Sequence, residues 1–117
     1  MKFNRLTKRE NQIMEVFWNS EKPLSSYEIS NEAPELSKST IQTSLRNLCS
    51  AGFIQVAGVS LNKKALTREY APAISQAEYL LDQLGDEASL QFALHYIEDK
   101  ANPEDLDKLQ EAINAKR

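Results

Sequence analysis

Ile13 and Met14, followed by Phe17 and Trp18, repeat at helical spacing after Thr7. The stripe is wide enough for one side of a helix to face a core. The same kind of start signal recurs three times, a hydroxyl residue followed three positions later by Glu: Thr7–Glu10, Ser25–Glu28 and Ser75–Glu78. In each pair the hydroxyl accepts from an orphan amide while the Glu reaches back to the cap. The first helix is expected to end before Lys22-Pro23, and the second to run from about Ser26 to Ala33, stopped by Pro34. A third begins at Ser37 or Ser39 and closes at Gly52.

Beyond Gly52 the period shortens. Phe53–Val59 and Ala65–Tyr70 carry apolar and β-branched residues around Ser60-Leu61-Asn62-Lys63-Lys64, which predicts a hairpin with a basic tip and a bulge or bend at Gly58. Pro72 interrupts the chain, and helical patterning resumes over Gln76–Leu84 and Glu87–Lys100. Asn102-Pro103-Glu104-Asp105 opens a last helix with a cap, an N1 proline and two first-turn carboxylates.

The third helix changes the picture. Ile41, Leu45 and Leu48 fall on one side, and Ser39, Gln42, Thr43, Arg46, Asn47 and Ser50 on the other. A merely solvated face is usually built of Glu, Lys and Ala, which form helices better. From Ser37 to Tyr70 the only carboxylate is Glu69. The chain up to Tyr70 holds ten Lys/Arg against seven Asp/Glu, whereas from Ala71 onward there are four against ten. A basic front half points to a polyanionic partner. Arg pairs bidentately with guanine, and Asn or Gln with adenine.

Three short helices followed by a basic-tipped hairpin are the element order of a winged helix-turn-helix, whose third helix enters the major groove while the wing touches the backbone. The expected fold is mainly α with a small β-hairpin wing: a winged-helix DNA-binding domain over 1–72 and a C-terminal helical dimerisation domain over 73–117. Lys38, Ser39, Thr40, Gln42, Thr43, Arg46 and Asn47 on the helix, with Lys63, Lys64 and Arg68 on the wing, are the candidate DNA contacts. The competing reading is a winged-helix protein-interaction module without sequence-specific DNA binding. With three glycines and one histidine, the chain offers no phosphate loop, metal spacing or nucleophile–base pair, so no catalysis, metal or cofactor is expected. No apolar run approaches the roughly 18 residues of a membrane span, and Met1–Leu6 has no signal-peptide pattern. A cytoplasmic address is expected.

The fifth helix has two apolar sides, Leu90, Leu94 and Ile97 on one and Phe92 and Tyr96 well around the cylinder. Two apolar sides need two packing partners. The last helix, with Leu106, Leu109 and Ile113 on one side, supplies one; a second copy of the chain supplies the other, giving a homodimer matched to a palindromic site. Cys49 is expected to be a small buried apolar group, and His95 to be solvated or hydrogen-bonded.

The segments "LTKRENQIMEVFW", "STIQTSLRNL" leading to "GFI", "REYAP" and "ISQAEY" together resemble the penicillinase-repressor (BlaI/MecI/CopY) family over nearly the whole chain. The resemblance implies a dimeric winged-helix repressor of palindromic operator DNA, with Thr40, Thr43 and Arg46 on the recognition helix and Tyr70 ending the wing strand. The chain departs from the family pattern at Ser44, Asn47 and Ala51, and its wing segment is longer, which implies more wing-dependent binding. The resemblance also implies a sensor protease as inactivating partner, acting where Gln91-Phe92 stands in place of the family's Asn-Phe. The chain has no cysteine after Cys49, so the thiolate copper sensing of some members is not expected.

Overall fold

The computed structural model describes residues 3–62 and 65–117. Its elements run α1 (Lys8–Trp18), β1 (Leu24–Ser25), α2 (Ser26–Glu32), α3 (Lys38–Ser50), β2 (Ile54–Asn62), β3 (Ala65–Pro72), α4 (Gln76–Leu84), α5 (Asp86–Asp99) and α6 (Pro103–Lys116). This is a winged helix followed by a helical C-terminal region. All three expected hydroxyl–Glu boxes close, at Thr7–Glu10, Ser25–Glu28 and Ser75–Glu78. Asn102 and Asp105 form a fourth around the N1 proline.

Ser37, not Ser39, caps α3. At its other end Gly52 takes φ +84°, the left-handed conformation that a side chain disfavours. The Gly52 amide donates to Cys49 and the Phe53 amide to Leu48. This pair of bonds reverses the chain and turns Phe53 back into the core. The helix is rich in poor helix formers, each costing up to about 0.7 kcal/mol. Burial of Ile41, Leu45 and Leu48, at roughly 1.5–3 kcal/mol each, outweighs that.

The sheet order is β1-β3-β2, all antiparallel. Both hairpin strands extend two to three residues past the expected ends, to Asn62 and Pro72. The third strand, β1, was not anticipated: Leu24 and Ser25 pair with Tyr70 and Glu69. The register slips between Val56 and Gly58, placing the expected bulge. Lys63 and Lys64, the predicted basic tip, lie outside the described residues.

The chain divides into compact units Met1–Gln83 and Leu84–Arg117, so the first runs past the expected boundary at Pro72. The reason is packing. Ile74 and Tyr79 sit in one core with Ile13, Phe17, Ile29, Leu45 and Phe53. Phe53 lies between Phe3 and Tyr79, with ring centroids 5.3 and 5.6 Å away. The Leu6 amide donates to the Tyr79 hydroxyl, Trp18 Nε1 donates to the Ile74 carbonyl, and Gln83 Nε2 donates to the Phe3 carbonyl. In the second unit no residue of α5 or α6 is buried. Within it, the Tyr96 hydroxyl donates to Asp105 at 3.2 Å, and that carboxylate holds the phenol's pKa above its ordinary value.

Candidate nucleic-acid interface

The α3 stripe that fills the core points Lys38, Ser39, Gln42, Thr43, Arg46 and Asn47 into solvent. Thr40 is half-buried at the N-terminal end of this face. Its amide donates to Ser37 Oγ, and its own hydroxyl oxygen accepts from Ser37 Oγ at 2.9 Å. No acid occupies the first turn of α3, so the partial positive charge of that end is not neutralised locally. Ser44, expected on neither face, is buried.

The bulge decides what the wing presents. Pairing Val56 with Tyr70, Val59 with Arg68 and Leu61 with Leu66 sets these six side chains on one face of the ribbon, because alternate residues share a face. Without the slip, Ala57 would oppose Tyr70 and every β2 side chain below it would swap sides. Glu69 and Thr67 point the other way, opposite Gly58 and Ser60.

Where the base of this ribbon meets α3, Gln42, Arg46, Cys49, Val56, Arg68 and Tyr70 line a shallow trough of about 440 Å³. Two arginines from elements distant in sequence therefore face one depression. Among the described residues, neither they nor Lys38 joins an ion pair. Flanking the other side of α3, Arg9 and Thr7 join Ser39, Thr43 and Asn47 around a second hollow. Its single carboxylate, Glu10, is engaged by the Thr7 amide. Arg9 was not among the residues expected at this surface; its place two residues after the Thr7 cap was the available signal.

Cys49 corrects an expectation. It is exposed rather than buried, since the core stripe of Ile41, Leu45 and Leu48 leaves it on the trough side. His95 is solvent-facing and pairs with Asp99 at 3.0 Å. The proposed dimer residues Leu90, Phe92, Leu94, Tyr96, Leu106 and Ile113 are all exposed, and Ile97 and Leu109 half-buried. Gln91 and Phe92 lie inside α5 rather than in a loop. Among the described residues, no helix is long and apolar enough to cross a membrane.

The third helix of this winged helix presents hydrogen-bonding side chains and, among the described residues, cations that join no ion pair, which is the surface a DNA-binding transcriptional regulator requires. A family model described as Penicillinase repressor matches residues 6–115. The chain belongs to that family, one of regulators rather than enzymes, and is a transcriptional repressor. No curated protein matches it.

Proposed function

We propose that the protein represses transcription as a homodimer on palindromic operator DNA, with α3 in the major groove and the wing on the flanking backbone. The observation that carries this reading is the exposed polar face of α3 sharing a trough with Arg68 of the wing. Arg46 and Gln42 are of the right type and spacing for base edges, and Thr40, Thr43, Lys38 and Arg68 for phosphate. Lys63 and Lys64 extend the wing's positive charge in sequence.

Dimerisation is supported by α5 and α6. Helices of 14 residues are marginal alone in water, and within one chain these bury no residue fully, with Ile97 and Leu109 half-covered. A second copy laid against Phe92 and Leu90 gives both apolar sides a partner and supplies the twofold axis of a palindrome. Half-sites then lie one helical turn, about 34–36 Å, or a multiple of it apart.

The test combines Arg46→Ala with a salt titration on duplex DNA selected by the full chain from a genomic library. Loss of a bidentate base contact costs about 1–3 kcal/mol and relaxes base choice at one position of each half-site. Replacing Lys63 and Lys64 together by Ala weakens all duplexes alike and flattens the salt slope. If the wild-type chain shows no salt-dependent binding to any duplex, the proposal fails.

A further inference from the structure

Leu61 and Leu66 oppose each other across the ribbon and are 72% and 79% exposed, with Val59 beside them at 60%. A cross-strand apolar pair normally stabilises a hairpin by being covered, and among the described residues nothing covers this one. The face they occupy is the one that carries Arg68 and then Tyr70, whose far end borders Arg46 and Gln42 of α3. The carboxylate of this part of the wing, Glu69, lies on the opposite face. The apolar pair thus continues the proposed DNA surface and is edged by a cation. A protein-binding patch would gain nothing from that continuity.

Reach decides where on the duplex it falls. Leu66 lies four residues beyond Tyr70, about 14 Å at the rise of a strand. Adjacent groove centres are roughly 17 Å apart, half of one helical turn of about 34 Å. A ribbon leaving the major groove beside α3 therefore brings the leucines to the neighbouring minor groove. Apolar side chains are the type that enter there, packing on sugars and wedging base steps apart. We infer that Leu61 and Leu66 form an apolar wedge that the wing inserts into the minor groove flanking each half-site. The inference rests on the DNA-binding reading above and adds to it a contact that reads groove shape.

Leu61→Thr with Leu66→Thr removes the wedge and keeps a strand-favouring cross-strand pair. Its binding is compared with wild type on the selected duplex, and on the same duplex with 2,6-diaminopurine replacing adenine in the flanks. That base adds an amino group to the minor groove and leaves the major-groove edge of adenine as it was. The variant should bind the unmodified duplex about tenfold more weakly, as expected for exposing two partly covered leucines. Its salt slope should be unchanged, because no phosphate contact is lost. Diaminopurine should weaken the wild type and leave the variant indifferent. Equal affinity of the two proteins, or a wild type insensitive to diaminopurine, overturns the wedge while leaving the repressor reading intact. A change confined to self-association in sedimentation also overturns it, and assigns the leucines to a second copy. Absence of wild-type binding to any duplex removes both readings together.

Discussion

The two compact units solve the same problem in opposite ways. Met1–Gln83 builds a core of its own: α1, α2, α3, the sheet and α4 all send side chains into it, and the large apolar residues it leaves exposed lie mainly on the wing and α4. Leu84–Arg117 has helices just as long and leaves Leu90 62% and Phe92 68% exposed. Its helices are well specified locally, by an N1 proline and a capping box in α6, yet caps are worth only about 1 kcal/mol each. Signals that start helices do not supply a core. One unit has a buried core within the chain, and in the other no residue of α5 or α6 is buried.

Substitutions can separate the two cases. Phe53→Ala empties the centre of the front core and should destabilise that unit by about 3–5 kcal/mol, read by denaturant unfolding. Phe92→Asp should do the reverse: the monomer should predominate in sedimentation, with self-association weakened by about 2–4 kcal/mol and the front core unaffected. A stable dimer after that change would move the interface elsewhere. Thr7→Ala, which removes the α1 box, should cost about 1 kcal/mol in thermal unfolding of the front unit.

The smallest effect expected is one of pH. The hydrogen bond from the Ser25 amide and then that from the Lys22 ammonium hold the Glu28 carboxyl below its ordinary value of 4.5. A depressed folded value means stability that is present above pH 4.5 and lost as pH falls through the folded value. Glu28→Gln should therefore flatten the acid limb of the front unit's stability profile. An unchanged limb would show that the box contributes geometry alone.

What could be read in the sequence follows the range of the interactions. The capping boxes, the Gly52 reversal and the Gly58 bulge depend on neighbours within a few residues, and all three were legible. β1 was not, because Leu24 and Ser25, the second of which caps α2, become a strand only by meeting Tyr70 and Glu69 from far along the chain. Cys49 was misplaced for a related reason: its position at the edge of the helical wheel leaves exposure to be decided by what packs there. The hydrogen-bonding face of α3 could be listed residue by residue. Its meeting with Arg68 required the sheet.

Trp18 is the single tryptophan of the chain, held by the Ile74 carbonyl with Tyr79 6.0 Å from its ring. Its fluorescence is therefore a reporter for the front unit alone, whereas far-ultraviolet ellipticity sums the helices of both. Recording the two signals on one melting sample separates the halves without cutting the chain, and dilution should shift only the component that the indole does not see.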